Sequence, residues 1–134
     1  MSDQFENEVI MKLNVRRFKN TTIYENECLF ILSPYINNSY HWFDIRLVNS
    51  SKFPKNKIGY LIIRDSKYGI HICKLLEFID KMTSDNSCVT TKNSGKHWKY
   101  FLEYNFEKRY YIKNQHNKEI YYCDFDNIDC LQKE

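Results

Sequence analysis

Side chains that could bind a metal or act as nucleophiles are spread thinly along this 134-residue sequence. The closest histidine and cysteine pairs lack the spacing of a zinc-binding knuckle. These pairs are His71 with Cys73, His116 with Cys123, and Cys123 with Cys130. Only three glycines are present, so a glycine-rich phosphate-binding loop is not expected. We therefore assign no catalytic residue, no metal ligand and no cofactor from the sequence.

Clustered carboxylates would fit one class of enzyme, a nuclease that holds a divalent metal ion against the scissile phosphate. Asp44 lies in a predicted strand, and the segment CDFDNID contains Asp124, Asp126 and Asp129. The next strand, IGYLIIR, has no acidic residue placed two positions before a lysine, and the terminal aspartates also fit a solvated strand end. A metal-dependent nuclease is thus an alternative, and a binding protein is favoured over an enzyme.

A combination of aromatic and basic residues is the stronger signal. In YHWFDIRLV, residues 40–48, the alternation predicts a strand with one aromatic and charged face and one mostly apolar face. Aromatic rings can stack on exposed bases while Lys and Arg neutralise phosphates. The candidate nucleic-acid-binding residues are Tyr40, Trp42, Arg46, Lys52, Lys55, Lys57, Arg16 and Arg17. The same residues also fit the wet outer face of an ordinary sheet.

The overall charge is only mildly basic. The net charge is +3 and the pI is about 8.5, whereas strongly electrostatic nucleic-acid-binding domains have a pI above roughly 9. A surface for anions must therefore come from local clustering. The basic residues dominate between residues 12 and 74, and the acidic residues gather near the two ends, in DQFENE and CDFDNIDC.

The elements that would position these residues are mostly strands. The alternation over residues 8–18 predicts a half-buried strand. Residues 21–36 are rich in β-branched and aromatic residues, and this strand should end or bend at Pro34 because proline has no backbone donor. Residues 40–48 and 58–64 complete four strands, with a lysine-containing loop between the last two.

One segment changes its period. Residues 69–82 place apolar side chains at helical spacing, which predicts an amphipathic helix. Three further strands, at 96–104, 108–114 and 119–125, are joined by short loops suited to hairpins. We expect a single α+β domain with a strongly twisted antiparallel sheet of four strands, then the helix, then a three-stranded antiparallel extension. The composition, 43% hydrophobic and 28% charged, is typical of a folded chain.

The order of these parts resembles a known family. FDIR, residues 43–46, is followed by the loop KFPKNKIG at 52–59, the strand YLII at 60–63 and the helix ICKLLEFIDKM at 72–82. This succession is similar to the single-stranded-DNA-binding core of the transcriptional coactivator PC4 family and its bacterial relatives. The related Whirly-type arrangement repeats the sheet and helix, but no second helix is predicted here.

The resemblance implies a fold, a partner and a set of residues. It implies a curved four-stranded antiparallel sheet backed by a helix, a homodimer formed through helix 69–82, and binding of single-stranded DNA with little sequence preference. It places the family's strand arginine on Arg46 and its loop lysines on Lys55 and Lys57. The aromatic residue that follows DIR in the family is absent, because LVN follows here.

Cysteine usage and hydropathy indicate the compartment. The chain has five cysteines and no CxxC pair, which together with the lack of a signal peptide indicates an intracellular protein, cytoplasmic or nuclear. The longest apolar runs contain four residues, whereas a membrane span needs about 20. Nucleic acid is the expected partner, and a protein-interaction module such as a small inhibitor or adaptor is the first alternative, ahead of the nuclease.

Overall fold

The structure of this protein, a computed structural model, describes residue 3, residues 5–93 and residues 95–131. These residues form an α+β fold in which most strand pairs are antiparallel. The helices are α1 (Glu6–Leu13), α2 (Leu47–Ser50) and α3 (Leu75–Met82). The strands are β1 (Arg16–Arg17), β2 (Ile23–Glu25), β3 (Leu29–Leu32), β4 (Tyr35–Ile36), β5 (Trp42–Arg46), β6 (Ile58–Asp65), β7 (Gly69–Lys74), β8 (Val89–Thr91), β9 (Gly95–Tyr104), β10 (Tyr110–Asn114) and β11 (Ile120–Tyr122). The strands make two open sheets.

The inner sheet consists of β1, β2, β3, β4, β6 and β7 and is centred on β6. Strands β3 and β4 pair in parallel with one edge of β6, and β7 pairs with the other edge as an antiparallel hairpin. Ser33 and Pro34 separate β3 from β4, and the Pro34 carbonyl accepts the Arg64 N–H (3.0 Å). The expected interruption at Pro34 is confirmed, since proline has no ladder donor to give.

The outer sheet consists of β5, β8, β9, β10 and β11, and all of its pairs are antiparallel. The long strand β9 carries β5 along one edge, and β8 and β10 along the other. The strands expected at 96–104, 108–114 and 119–125 are confirmed as β9, β10 and β11, joined by hairpins. Strand β5, about half the chain away from β10, completes the same sheet.

The main hydrophobic core lies between the two sheets. Strand β5 contributes Phe43 and Ile45 to this core, and β9 contributes Trp98 and Tyr100. Helix α3 adds the buried side chains Leu75, Phe78 and Met82, whose i, i+3 and i+7 spacing matches one face of a helix. The inner sheet supplies the opposing side chains, which are Ile23, Phe30, Leu32, Ile36, Leu61, Ile63 and Cys73.

A second core covers the opposite face of the inner sheet. Val9 and Leu13 of α1, together with Ile128 and Leu131 near the C-terminus, are buried there. They pack with the remaining inner-sheet side chains, which are Tyr24, Leu29, Ile31, Tyr60, Ile62, Ile70 and Ile72. The inner sheet is therefore covered on both faces, whereas the outer sheet has a partner on one face only.

The expected strand over residues 8–18 is wrong. The segment forms α1, because Val9 and Leu13 lie four positions apart on one buried face while Met11 between them is 79% exposed. The helix ends at Asn14, whose φ of 53° is a left-handed conformation that asparagine adopts more readily than most residues. Only Arg16 and Arg17 remain in a strand.

The expected helix over residues 69–82 is correct only from Leu75 onward. Residues 69–74 form β7, an edge strand of the inner sheet that is buried on both faces, and such a strand has a continuous apolar run that periodicity cannot separate from a helix. The single four-stranded sheet expected before the helix is also wrong in its arrangement. Strands β5 and β6 do not pair with each other and belong to different sheets, so residues 40–65 are not a hairpin.

Candidate nucleic-acid interface

The solvent-facing side of the outer sheet is the main aromatic and basic surface of the described residues. We call it the open face. Alternation along each strand sends one set of side chains into the core and the other set outward. The open face consists of Trp42, Asp44 and Arg46 on β5, Lys99, Phe101 and Glu103 on β9, Tyr111 and Lys113 on β10, and Tyr122 on β11.

Trp42 is the central aromatic residue of the β5 edge. It is 36% exposed, and its cross-strand neighbour is Phe101, with the ring planes 12° from parallel and the centroids 6.4 Å apart. Lys99 Nζ lies 4.4 Å from the Trp42 ring centroid and 3.9 Å from the Asp44 carboxylate. Trp42 is thus a partly exposed indole ring with a cation over it, and aromatic rings and cations are the two kinds of group that contact the bases and phosphates of a single strand.

A second aromatic pair lies toward the other edge of the sheet. The rings of Tyr111 and Tyr122 meet edge to face at 5.6 Å, and the Arg109 guanidinium lies 4.1 Å from the Tyr122 ring centroid. The Tyr111 hydroxyl donates to the Glu103 carboxylate (2.9 Å), and this hydrogen bond, followed by burial, raises the pKa of Tyr111. Aromatic rings and cations thus extend across the full width of the open face.

The other predicted residues of the β5 segment lie beside this face. Tyr40 is 74% exposed in the turn before β5, where the Asn38 side-chain oxygen accepts the backbone N–H groups of Tyr40 and Trp42. Arg46 is exposed at the far end of β5, opposite His97. The alternation expected for this strand is confirmed over Trp42–Arg46.

The loop lysines are positioned by an aromatic side chain. Phe53 packs against Phe30 with centroids 5.3 Å apart and lies so close to Gly59 that a Cβ there would come within 2.5 Å of the Phe53 ring. Lys55 is exposed on this loop, whereas Lys57 is ion-paired with Glu25 (3.0 Å). Lys52 Nζ lies 5.6 Å from the Phe18 ring centroid. These lysines flank the inner sheet and do not lie on the open face.

Arg16 and Arg17 lie on β1 at the margin of the inner sheet. Arg17 interacts with Glu6 (3.6 Å) and donates from Nε to the Thr21 carbonyl (2.8 Å). A cavity of about 630 Å³ is lined by both arginines and by Lys57, and a second cavity of about 330 Å³ is lined by Arg17 and Arg46. Arg17 therefore connects the loop region with the β5 end of the open face.

The aspartates proposed as metal ligands are used in other contacts. Asp44 pairs with Lys99, Asp129 lies 3.4 Å from Lys12, and Asp124 accepts the Lys74 backbone N–H (2.9 Å). Among the described residues, no group of three His, Cys, Asp or Glu side chains is arranged to hold a metal ion.

The sequence predicts no site role for most of the open face. It places Lys99, Phe101, Glu103, Tyr111, Lys113 and Tyr122 in strands only. Their alternation with buried neighbours is visible in KHWKYFLEY and KRYYIKN. The pairing of β9 with β5 joins these residues to Trp42, and no local pattern predicts a pairing between such distant segments.

No protein-family model, curated protein or solved structure shows significant similarity to this chain. In the described part of the chain, no helix has the length and apolar character needed to span a membrane.

Proposed function

We propose that this protein binds single-stranded nucleic acid, preferably DNA and with little sequence preference, across the open face. The observation that carries the proposal is the row formed by Lys99, Trp42 and Phe101, in which a cation and two aromatic rings lie side by side on a solvent-facing sheet. Every base has a π-face, so this kind of surface accepts bases without reading their edges.

The energetic argument rests on stacking. Each base stacked on an aromatic ring contributes roughly 1–3 kcal/mol, so two or three stacked bases give useful affinity for a single strand. A duplex hides its base faces, and the open face should therefore prefer single strands to the same sequence in duplex form. Phosphate contacts fall to Arg46, Lys113 and Arg109, which are on or beside the open face.

The loop and β1 cations are proposed as a continuation of the phosphate path. Arg17 shares one cavity with Arg46 and another with Arg16 and Lys57. Lys52 and Lys55 lie on the same loop as Lys57. Carboxylates partly neutralise this region, since Glu25 and Glu27 line the larger cavity, so its contribution should be smaller than that of the open face.

A fluorescence-anisotropy titration with a labelled 20-nucleotide single strand at two salt concentrations tests the proposal. Binding should be saturable and weaken as salt rises, because phosphate contacts release counterions. A Met11→Ala control on the far side of the molecule should bind like the wild type, since Met11 lies on α1. Absence of binding at low salt, or binding that ignores salt, would refute the proposal.

A protein partner is the second candidate function. The open face carries Trp, Tyr and Arg side chains, the types that dominate hot spots of protein interfaces. This hypothesis expects capture of a specific protein and no affinity for bare oligonucleotides. The homodimer implied by the family resemblance stays a prediction, and in this structure it would use the exposed side of α3, where Leu76 is 61% exposed. We also propose an intracellular location, consistent with five free cysteines.

A further inference from the structure

A histidine–aspartate pair lies where the start of β5 in the outer sheet meets the end of β6 in the inner sheet, on the side of the outer sheet opposite the open face. His41 Nδ1 donates to Asp65 Oδ2 at 2.6 Å, and the Asp65 side chain is fully buried. The other Asp65 oxygen accepts the backbone N–H groups of Lys67 (2.8 Å) and Tyr68 (2.9 Å). The carboxylate is therefore fixed in place and in turn fixes the orientation of the imidazole ring. With Nδ1 as the donor, Nε2 is left as a proton acceptor.

The backbone of His41 adopts an uncommon conformation. Its φ of 58° is in the left-handed region, which few residues with a side chain occupy. The His41 carbonyl still accepts the Leu102 N–H (2.8 Å), so the residue extends the β5–β9 pairing beyond Trp42. Strained residues held in this way often occur at functional sites.

A cluster of tyrosines surrounds the pair. The His41 ring is stacked on Tyr68 at 3.9 Å and 11°, and Tyr68 lies 5.5 Å from both Tyr104 and Tyr110. On the other side, His71 stacks on Tyr110 (3.9 Å) and donates from Nε2 to the Tyr68 carbonyl (2.8 Å). These two contacts hold the His71 ring in place, and His71 in turn supports Tyr68 and Tyr110.

Four polar atoms of this cluster face solvent with no partner among the described residues. Every buried side-chain nitrogen and oxygen there has a hydrogen-bond partner. The four atoms are His41 Nε2 and the hydroxyl oxygens of Tyr68, Tyr104 and Tyr110. The first and the hydroxyls of Tyr68 and Tyr110 have no hydrogen-bond partner and are therefore not fully buried, and Tyr104 is 47% exposed. Burial, followed by the neighbouring Tyr104 hydroxyl and the Asp65 carboxylate, raises the pKa of Tyr68 and of Tyr110. These hydroxyls stay protonated at neutral pH and can donate to an anion.

We propose that His41 and Asp65 form a general-base dyad that cleaves single-stranded RNA, with the tyrosine hydroxyls donating to the phosphate. Nε2 removes the proton from a ribose 2′-hydroxyl, and the 2′-oxygen attacks the adjacent phosphorus. The bond from phosphorus to the 5′-oxygen breaks, and the leaving oxygen takes a proton from water. The products are a 2′,3′-cyclic phosphate and a 5′-hydroxyl end, and His41 returns its proton to solvent.

This inference rests on the proposed function and extends it from DNA to RNA, because aromatic rings stack on the bases of either nucleic acid. His41 directly precedes Trp42, and Tyr104 follows Glu103 at the end of β9, so a strand that stacks on Trp42 and continues around this end of the outer sheet would reach the dyad. Lys67, Lys108 and Arg109 are the nearby cations in sequence, and Asp65 and Glu103 are the carboxylates that act on the tyrosine hydroxyls. A general base without a serine or cysteine partner can activate a nucleophile that the substrate itself carries, and the ribose 2′-hydroxyl is such a group.

The test uses a labelled DNA strand that contains one ribonucleotide, incubated with the full chain in the presence of a chelator. Wild type should cut only at the ribonucleotide and leave an all-DNA strand intact. His41→Asn should lose at least about 100-fold in rate, the usual contribution of a general base. Asparagine accepts a left-handed backbone, so this variant should still fold. The matched control His116→Asn, in the exposed β10–β11 turn, should cleave like the wild type.

A rescue experiment separates a chemical role from a structural one. His41→Gly suits the positive φ and removes the ring, and added imidazole should restore cleavage several-fold if His41 acts as the base. Cleavage that persists in His41→Asn, or wild type that binds the strand without cutting it, would overturn this inference and leave the proposed function intact. Failure of the all-DNA strand to bind in anisotropy would instead refute the proposed function.

Discussion

The two sheets of this protein differ in what surrounds them. The inner sheet is packed between the outer sheet and α3 on one face and α1 and the C-terminal segment on the other. The outer sheet has a core on one face and solvent on the other, and its strands alternate accordingly. Among the described residues, the outer sheet therefore offers a ligand the larger accessible sheet face, whereas the inner sheet exposes mainly Arg16 and Arg17 of β1, and we propose that most of the binding surface is on the outer sheet.

Two pairs of like residues show the same contrast. Arg64, on β6, is buried and donates to the Ser33 carbonyl (2.7 Å), and burial lowers its pKa to about 10. Arg46, on β5, is exposed. Trp98 is buried and donates from Nε1 to the Ser84 carbonyl (2.9 Å), whereas Trp42 is on the open face. Residue type alone does not distinguish a structural arginine or tryptophan from one that is free to bind.

The largest expected effect is on the core between the sheets. Phe78→Ala should lower the free energy of unfolding by about 3–5 kcal/mol, because it leaves a cavity where a fully buried ring stood. Leu76→Ala, two positions away on the exposed side of α3, should cost less than about 0.5 kcal/mol. Urea unfolding of both variants measures the difference. Equal losses would mean that α3 does not bury the face described here.

A smaller but more selective effect is expected on the open face. Trp42→Ala should weaken single-stranded-DNA binding by about 2 kcal/mol, roughly 30-fold, through the loss of a stacked base. Its stability should change far less than that of Phe78→Ala, because the side chain is partly in solvent. Anisotropy titration beside urea unfolding separates the two quantities. Unchanged affinity would remove Trp42 from the binding surface.

The charge on the same strand should have a smaller effect that depends on salt. Arg46→Gln should reduce the slope of log affinity against log salt by about 0.7, the value for one phosphate contact on a single strand. Lys81→Gln, an exposed cation on α3, is the matched control and should leave the slope unchanged. If both substitutions alter the slope equally, the protein attracts DNA through its overall charge and not through the open face.

The smallest expected effect is on the pH dependence of stability, and it involves His71 on β7 of the inner sheet. Burial lowers the pKa of His71, so the unfolded chain binds the proton more tightly than the folded chain does. Stability from this residue is complete above the ordinary histidine pKa of about 6.5 and declines as the pH falls below it. His71→Asn should show a shallower loss of unfolding free energy between pH 7.5 and pH 5 than the wild type. Identical slopes would contradict the burial of this imidazole.

The strands of the outer sheet could largely be predicted from local patterns. Alternation predicted which side chains of β5 face outward, and it also predicted the three C-terminal strands. Their assembly could not be predicted, because β5 pairs with β9 and β6 pairs in parallel with β3. These pairings join segments that are far apart in the sequence. No local pattern in either segment shows which partner strand it will have in the folded chain.

The candidate site could be predicted only in part, because many of its residues become neighbours through the same long-range strand pairing. Trp42 and Arg46 follow from alternation, but Phe101 and Lys99 become their neighbours only through the β5–β9 register. His41 and Asp65 gave no sequence signal, since they are 24 positions apart and lie at the ends of strands in different sheets, His41 directly before β5 and Asp65 at the end of β6. In residues 8–18, Met11 and Val15 together with Val9 and Leu13 make an alternating apolar pattern. This pattern fits a strand as well as the four-residue spacing of Val9 and Leu13 fits a helix.

The two tryptophans provide the most direct test of binding at the open face. Trp98→Phe leaves Trp42 as the fluorophore, and Trp42→Phe leaves Trp98. Titration of Trp98→Phe with a single-stranded oligonucleotide should quench its fluorescence, with the same midpoint as the anisotropy titration, because bases stack on Trp42. Trp42→Phe should show little quenching, because Trp98 is 2% exposed. Binding without quenching of Trp42, or equal quenching in the two variants, would contradict the assignment of the interface to the outer sheet.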